Sequence, residues 1–417
     1  MNFIKTSFLS GLSTAISLIA RLISTKIVAV LLGTNGMFLM GQLKDFLRLG
    51  NTISSFGIEN GIIKYTSEFE KKEKDLSKII GSSFKINFLS AIIFSFIVVI
   101  SKEYISDFLK INFNQNFYFL VLVISIISAS IHTCFLSIYN GLKKINLYVL
   151  VNIFSNIAAA IILIILVIKM NIIGAFYALA INQIIALLIN IIFFIYYRPF
   201  NIRYLFDKLI KENFKKLSKF SLMAIAGPLC LIISTFIVRD YIYEFFGSDH
   251  AGSWEAMWRI SSIYILFLIT TFKFYLIPTF SKLEGSKLKN EIFKIWKFTI
   301  PIIILITMAV YLLKDFIIAI LLSKDFILIN SIIFFHLIGD IIKINCWVLG
   351  NILISKANTK VFILFQIEWS LIFVILSIFL INYYGFVGVS IAYFITYIIH
   401  FSLLNLYFKN LIWKRNN

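Results

Sequence analysis

Ionised side chains occur at helical spacing inside two apolar, membrane-length stretches of the chain, residues 34–66 and 251–281. At about 100° per residue, each polar set falls on one helix face within roughly 80° of arc, with Asp45 at the margin of its set. A charge at the bilayer centre costs about 2.5–3.5 kcal/mol on insertion scales, so it is tolerated mainly where it faces a wet interior. The two sets, called here the polar stripes, are Lys44, Asp45, Arg48, Asn51, Ser55 and Glu59, and Glu255, Arg259, Ser262, Thr270 and Lys273. The polar stripes therefore predict a pathway through a membrane.

The elements that position these stripes are predicted to be membrane-spanning helices. The 417-residue chain is 60% hydrophobic and only 14% charged, with a mean hydropathy of +0.93. Apolar runs of about 20–33 residues, each long enough to cross a bilayer, recur along almost its whole length. We predict twelve spans, numbered in chain order, at residues 6–32, 34–66, 78–101, 115–140, 145–168, 171–197, 216–246, 251–281, 292–313, 326–355, 359–382 and 385–408. The expected class is an all-α integral membrane protein without a separate soluble domain.

Positive charge is distributed unevenly between the segments that join the spans. With a cytoplasmic N-terminus, the inner segments contain most of the Lys and Arg residues that lie outside the spans. The outer segments contain only Lys102, Lys110, Lys169, Lys314 and Lys324. This asymmetry follows the positive-inside rule and predicts that both termini are cytoplasmic. The net charge of +19 therefore indicates membrane topology rather than a nucleic-acid partner.

The longest inner segment, residues 198–215, is basic and lies midway along the chain. Apolar residues recur in it at helical spacing, which predicts an amphipathic helix along the inner membrane surface. This linker divides the chain into an N-terminal lobe of spans 1–6, residues 1–197, and a C-terminal lobe of spans 7–12, residues 216–417. Because each lobe has an even number of spans, the lobes should share one orientation, as parallel repeats of transporters do.

A shift of 214 residues superposes spans 1 and 2 on spans 7 and 8. Under this shift Lys26 falls on Asp240 and Asp45 falls on Arg259. Glu59 likewise falls on Lys273, so charges of opposite sign occupy equivalent positions. Residues near a pseudo-two-fold axis can meet their symmetry mates, which would give ion pairs between the lobes. The alternative is that each charge pairs locally at i,i+4, as Glu255 can with Arg259.

Charged residues inside the other spans are concentrated in spans 1, 7 and 10. They are Arg21 and Lys26; Arg239, Asp240 and Glu244; and His336, Asp340 and Lys343, of which the last three share one helix face. Spans 3, 5, 6, 9 and 12 are nearly free of charge, so we expect them to face lipid or to pack peripherally. Spans 1, 2, 7, 8 and 10 would then enclose a central cavity between the lobes, with more cations than anions. For any single residue, the alternative is a packing ion pair or a snorkelling end group.

Motifs for enzymatic chemistry are missing from the sequence. No GxxxxGK[ST] phosphate loop is present, which argues against ATP hydrolysis. Cys134, Cys230 and Cys346 fall within spans, without the spacing of a disulfide or a metal site. We therefore predict a transporter rather than an enzyme, with no cofactor, no metal and no catalytic residue. The cationic surplus favours an anionic cargo, because guanidinium groups grip phosphate oxygens in a fork and Lys adds a point charge.

Short stretches in three regions carry a family resemblance. They are residues 26–36, 41–42 and 56–65 in spans 1 and 2, residues 261–264 and 275–281 in span 8, and residues 339–340, 347–350 and 355–357 in span 10. In these stretches and in its layout, the chain resembles Wzx-type flippases. That group includes the O-antigen and enterobacterial common antigen flippases of the multidrug/oligosaccharidyl-lipid/polysaccharide exporter superfamily.

The resemblance implies a cargo, a location and roles for the polar residues. The cargo would be an undecaprenyl-pyrophosphate-linked oligosaccharide, turned from the inner to the outer leaflet of a bacterial cytoplasmic (inner) membrane. A glycan polymerase and a chain-length regulator would be possible partners. The expected pyrophosphate ligands are Arg48 and Arg259, assisted by Arg21, Lys26, Arg239 and Lys273. The expected sugar contacts are Asn51, Ser55 and Ser262, and the expected coupling or gating residues are Asp45, Glu59, Asp240, Glu255 and Asp340.

Two other functions fit parts of the same pattern. A cation-coupled multidrug antiporter of the same superfamily would have the same fold, but an acidic cavity would suit its organic cations better. A non-transporting scaffold of a glycan assembly complex would not need charges deep in its spans. Substitutions in the polar stripes would distinguish these functions, because they would affect a transporter and leave a scaffold intact.

Overall fold

The computed structural model describes residues 3–111, 115–218 and 221–413, and every regular element in these residues is helical. The α-helices are α1 Phe3–Ser54, α2 Glu59–Glu68, α3 Glu73–Ile100, α4 Lys102–Phe108, α5 Gln115–Gly141, α6 Ile145–Tyr197, α7 Lys211–Ser218, α8 Ser221–Phe246, α9 Ser248–Lys282, α10 Gly285–Leu312, α11 Lys314–Leu321, α12 Ile329–Ser355, α13 Thr359–Tyr384, α14 Val387–Tyr407 and α15 Lys409–Ile412. Two short 3₁₀ helices cover Ile202–Phe206 and Lys324–Phe326. The predicted all-α class is confirmed.

Backbone breaks divide the two longest helices into pairs of spans. α1 leaves helical geometry at Gly33, where φ is 62°. α6 does so at Asn171, where φ is 51°; Gly and Asn tolerate positive φ better than other residues. Within the described residues, nine helices are long and apolar enough to cross a membrane, and α1 and α6 are two of them. Because each of these two supplies two crossings and the 35-residue α9 adds another, the predicted twelve-helix layout is confirmed.

The helices are grouped in two compact units. The first unit comprises Met1–Leu32 and Leu39–Leu229, and the second comprises Gly33–Phe38 and Cys230–Asn417. The core of the first unit is formed where α2, α3, α5 and α6 pack through buried Ile and aromatic side chains. In the second unit, α12 packs against α9, α10 and α14, and α13 packs against α14. The lobe boundaries at 1–197 and 216–417 stay a prediction.

The turn between the first two spans belongs to the second unit, although the rest of α1 belongs to the first. Within the second unit, the Thr34 hydroxyl donates to Asp249 Oδ1 at 2.5 Å. The Phe38 ring stacks on Tyr243 with 4.4 Å between centroids. Gly252 allows this approach, because a Cβ there would lie 2.0 Å from the Thr34 carbonyl oxygen. The turn is therefore anchored by residues more than 200 positions away in the sequence.

Span 2 is broken, where the sequence predicts one continuous span over 34–66. α1 ends at Ser54 and α2 begins at Glu59, with Phe56 and Gly57 at φ 51° and 60° between them. A Cβ at Gly57 would lie 2.7 Å from Ile225 Cγ1 and 3.0 Å from the Ser221 carbonyl oxygen. The first polar stripe therefore does not share one helix throughout, because Glu59 belongs to α2.

The linker also differs from the expected single amphipathic helix over 198–215. It contains the 3₁₀ helix Ile202–Phe206 and then α7, with non-helical residues 207–210 between them. Asp207 ends the 3₁₀ helix by accepting hydrogen bonds from Ser77 Oγ of α3 and from the Lys208 N–H, both at 2.8 Å. The bond from the Lys208 N–H is a local side-chain-to-backbone bond of the kind that competes with helix continuation, and the bond from Ser77 fixes Asp207 to α3.

Candidate functional site

A buried carboxylate joins two arginines in the second unit. Glu255 of α9 accepts from Arg239 Nη2 of α8 at 2.9 Å through one oxygen, and from Arg259 Nε at 2.9 Å through the other. The side chains of Arg239, Glu255 and Arg259 are 3%, 10% and 13% exposed. The Arg239 guanidinium also lies over the Trp254 ring, 5.8 Å from its centroid. We call Arg239, Glu255 and Arg259 the arginine cluster, and the expected i,i+4 pairing of Glu255 with Arg259 is part of it.

The arginine cluster has unused capacity to bind an anion. Two guanidinium groups and one carboxylate leave a formal charge of +1 among these three side chains. Arg259 Nη1 and Nη2 are buried and have no hydrogen-bond partner among the described residues. A guanidinium has five N–H donors and no acceptor, so these two nitrogens can be satisfied only by an acceptor such as a carboxylate, a phosphate or water. Glu255 holds the Nε side of Arg259 and leaves the other two nitrogens for a ligand.

Asp340 of α12 is the centre of a second buried polar group in the second unit. Its carboxylate accepts hydrogen bonds from the hydroxyls of Ser261 and Tyr264 on α9, and from Tyr393 on α14 at 2.7 Å. Lys343 Nζ donates to the Tyr393 hydroxyl at 3.1 Å and lies 4.9 Å from the centroid of the Trp258 ring. Three hydroxyl donors and a nearby ammonium can stabilise an ionised carboxylate in an apolar setting.

His336 lies beside this group without joining its hydrogen bonds. It is fully buried and stacks on Tyr393 with 4.3 Å between centroids, and its Nε2 is 4.0 Å from Asp340 Oδ2. Neither ring nitrogen has a hydrogen-bond partner among the described residues. We call Asp340, Ser261, Tyr264, Tyr393, Lys343 and His336 the Asp340 hub. The i, i+4, i+7 pattern in span 10 indicated His336, Asp340 and Lys343, but nothing in the sequence indicated which hydroxyls would donate to Asp340.

The first unit brings together three charged residues of spans 1 and 2. Arg48 Nη1 lies 3.7 Å from Asp45 Oδ1, and the Arg48 side chain is 68% exposed. Arg21, also exposed, lies close enough to Arg48 for the two cations to interact electrostatically. The non-helical backbone at Gly33 separates the half of α1 that carries Arg21 from the half that carries Asp45 and Arg48. Two exposed cations with one close carboxylate form a second surface that suits an anion.

The other predicted site residues occupy separate positions. In the first unit, Thr133 Oγ1 donates to Asn51 Oδ1 at 3.4 Å, and the buried Ser55 donates to the Thr52 carbonyl at 3.3 Å. Lys26 and Glu59 are half-buried. In the second unit, Asp240 is half-buried, and the exposed Ser262 donates to the Arg259 carbonyl at 2.8 Å. The side chains of Thr270 and Lys273 lie outside the described residues. The ion pairs expected between the lobes stay a prediction.

Span 12 contributes to the site although it is nearly free of charge. α14 packs closely on α12 through buried Tyr393 and Tyr397. Phenols and a single His carry no fixed charge, so counting charges along the sequence overlooked them. Within the described residues, no group of three or more His, Cys, Asp and Glu side chains is arranged to hold a metal ion.

The fold is that of transporters of the MOP superfamily. An inward-facing multidrug resistance MATE family transporter of that superfamily matches with a TM-score of 0.78 at 12% identity, covering 95% of each chain. A MOP superfamily transporter from Pyrococcus furiosus matches with a TM-score of 0.66 at 12% identity, covering 96% of each chain. The family model for polysaccharide biosynthesis proteins matches residues 3–284, so the chain belongs to that family. It is also 26% identical to the lipid III flippase of Escherichia coli (strain K12), over 100% of both chains.

Proposed function

We propose that this protein is a flippase for a lipid-linked oligosaccharide. Its cargo would be an undecaprenyl-pyrophosphate-linked glycan, moved from the cytoplasmic to the periplasmic leaflet of a bacterial inner membrane by alternating access. The observation that carries the proposal is the arginine cluster, in which two buried donors of Arg259 lack a partner within a net positive group. The full-length similarity to a protein named lipid III flippase supports the same cargo class.

The pyrophosphate is the part of such a cargo that arginines would recognise. Arg259 can offer Nη1 and Nη2 to one phosphate, because Glu255 occupies only Nε. Arg239 adds charge beside it, and Arg48 with Arg21 offers an exposed cationic pair in the first unit. The polyprenyl tail could stay in lipid while the headgroup moves. A net positive cluster would repel organic cations, which disfavours the multidrug antiporter.

The remaining predicted residues keep supporting roles in this proposal. Lys26 and Lys273 would add positive charge, while Asn51, Ser55 and Ser262 would meet sugar hydroxyls. Asp45, Glu59, Asp240 and Asp340 would couple or gate transport, and Glu255 would position Arg259. Both termini would be cytoplasmic. A glycan polymerase and a chain-length regulator are proposed as partners.

Substitution of the two expected pyrophosphate ligands tests the proposal. We expect the variant R48A/R259A to lose surface glycan in cells and flipping of a fluorescent undecaprenyl-pyrophosphate-linked oligosaccharide in proteoliposomes. The matched control is R203A, which removes an exposed arginine of the linker and should preserve both activities. Membrane abundance and thermal unfolding should be measured for each variant. Normal glycan and normal flipping in R48A/R259A would refute the assignment of these two arginines as pyrophosphate ligands, whereas an unchanged protein that never flips the cargo would favour a scaffold.

A further inference from the structure

A lysine lies at one end of an exposed row of apolar side chains on α3. Lys85, Leu89, Ile92 and Phe96 are spaced i, i+4, i+7 and i+11, so they share one face of that helix. The three apolar side chains are between 42% and 66% exposed, and Lys85 is half-buried. Exposed apolar side chains of a membrane span meet acyl chains, because the bilayer core contains no water. The row is therefore a strip along which an acyl chain can lie, with an ammonium group at one end.

The linker crosses α3 next to this lysine. A Cβ at Gly81 would lie 2.8 Å from the Tyr204 carbonyl oxygen, so the linker backbone approaches α3 closely there. The Ile210 N–H donates to Ser82 Oγ at 3.3 Å. Gly81 and Ser82 precede Lys85 by about one helical turn, and the start of α3 is predicted to be cytoplasmic. Lys85 therefore lies just below the linker, on the side of the membrane interior.

Exposed apolar side chains of the linker lie at the level of Lys85. Its Nζ donates to the Phe206 carbonyl at 3.5 Å, and the Phe206 side chain is 74% exposed. Ile202 and Leu209 are also exposed. Apolar side chains of a surface-lying segment insert into the boundary between headgroups and acyl chains. Because side chains on a helix lean towards its N-terminus, the ammonium of Lys85 is directed towards the headgroups.

Positive charge prevails around this contact. Residues 203–216 contain five basic and two acidic side chains. Asp207 accepts two hydrogen bonds and interacts electrostatically with Lys85, and Glu212 pairs with Lys216 Nζ at 2.7 Å. An ammonium has three N–H donors, and the linker carbonyl uses one donor of Lys85. The remaining capacity and the surrounding charge suit a phosphate group.

An amphiphile with a negative headgroup matches both parts of this surface. We propose that one anionic phospholipid of the cytoplasmic leaflet binds between α3 and the linker, with its phosphate at Lys85 and an acyl chain along Leu89, Ile92 and Phe96. A zwitterionic headgroup carries its own cation, so it would gain less from the basic linker. The bound lipid would hold the linker against α3. This site would be present whatever the cargo of the protein is.

α13 provides a matched control within the same chain. Lys360, Leu364, Ile367 and Leu371 repeat the spacing of the α3 row, and they begin near a helix end that is also predicted to be cytoplasmic. The three apolar side chains are between 43% and 63% exposed, and Lys360 is exposed. The 3₁₀ helix of the linker packs on α3. We therefore expect a lipid site at Lys85 and none of comparable affinity at Lys360.

Native mass spectrometry tests the site without any cargo. Full-length protein in mild detergent is titrated with phosphatidylglycerol or with phosphatidylcholine of the same acyl chains. We expect one phosphatidylglycerol to be retained preferentially. K85Q should weaken this binding about fivefold, the factor that one basic residue near an anionic surface contributes. K85R should retain the lipid, and K360Q should bind it as the unchanged protein does, with thermal unfolding as the check on folding.

Fluorescence quenching locates the acyl chain. The variant I92W introduces a tryptophan into the row, whereas the six tryptophans of the unchanged chain all lie outside α3. In nanodiscs, brominated phosphatidylglycerol should quench the added fluorescence more strongly than brominated phosphatidylcholine at the same fraction. I92W/K85Q should lose this difference between the two lipids.

Four results would overturn the lipid site. They are equal retention of the two lipids by the unchanged protein, binding by K85Q that matches the unchanged protein, equal weakening by K85Q and K360Q, and a quenching difference that persists in I92W/K85Q. Tighter retention of undecaprenyl phosphate than of phosphatidylglycerol would also overturn the phospholipid assignment and make this surface a cargo contact. Flipping by the unchanged protein and by R48A/R259A is measured separately, so the proposed function can fail while the lipid site stands, and the reverse.

Discussion

Glu255 is the residue on which the arginine cluster depends. It is the carboxylate that bridges Arg239 and Arg259, and all three side chains are buried. Removing one partner of a buried ion pair leaves an uncompensated charge, which costs about 3–5 kcal/mol. We therefore expect E255A to unfold at a markedly lower temperature in detergent. The double variant E255A/R239M should recover part of the loss, because it removes one of the two cations.

The control for this prediction is E103Q, in which an exposed carboxylate is neutralised and little change is expected. An E255A protein as stable as the unchanged one would mean that another group compensates the two arginines.

The sequence predicted the pairing of Glu255 with Arg259 because i,i+4 spacing brings such neighbours together. It also placed Arg239 in the same predicted cavity, but it gave no indication that Arg239 would pair with Glu255.

At the scale of single elements, the break between α1 and α2 depends on Gly57. Its φ of 60° and the 2.7 Å between a built Cβ and Ile225 Cγ1 leave no room for a side chain. We expect G57A to destabilise the protein by about 1–2 kcal/mol, the usual cost of a left-handed conformation for a residue with a Cβ. Thermal unfolding in detergent measures the change.

Gly350 provides the matched control, since it lies inside α12 and a Cβ there would meet nothing within 4 Å. G350A should be neutral or stabilising, by up to about 1 kcal/mol, because Ala is the better helix former. Equal effects of the two substitutions would contradict the conformational argument at Gly57.

Hydropathy predicted the spans well, since an apolar run of sufficient length has few alternatives to a membrane helix. It missed this break because Gly57 fits an apolar pattern.

Asp207 attaches the linker to Ser77 of α3 by a hydrogen bond that lies outside the membrane spans and is sensitive to pH. The Ser77 hydroxyl and the Lys208 N–H lower the pKa of Asp207, because both bonds favour the carboxylate. The attachment is therefore present at neutral pH and is lost as the pH falls through the lowered pKa. We expect a spin label at R203C to become mobile on acidification, and to be mobile already at neutral pH in D207N.

The Tyr204 hydroxyl also donates to Glu73 at 2.6 Å, so the D207N linker should loosen without detaching completely. A spin label whose mobility is independent of pH and unchanged by D207N would contradict this role of Asp207.

The sequence predicted that residues 198–215 form an amphipathic, basic segment. It could not show that Asp207 would end the 3₁₀ helix, because its partner Ser77 is 130 residues away.

At the scale of the whole molecule, the sequence predicted the class and the number of crossings, and it located parts of the site. Charges in spans 7 and 8 indicated the residues of the arginine cluster, and charges in span 10 indicated the centre of the Asp340 hub. The hydroxyl of Tyr393 on α14 was not predicted as a partner of Asp340, because partners on distant helices leave no trace in local spacing.

The anchored turn at residues 33–38 has a consequence for biogenesis. Thr34 leaves the ribosome 215 residues before its partner Asp249. At about 5–20 residues per second, that separation corresponds to about 10–40 s of synthesis. During this interval the tip of the first hairpin has no docking site, because Asp249 has not yet been synthesised. The nascent chain therefore passes through a stage in which an undocked tip must be kept from mispairing, and membrane insertion factors would act at that stage.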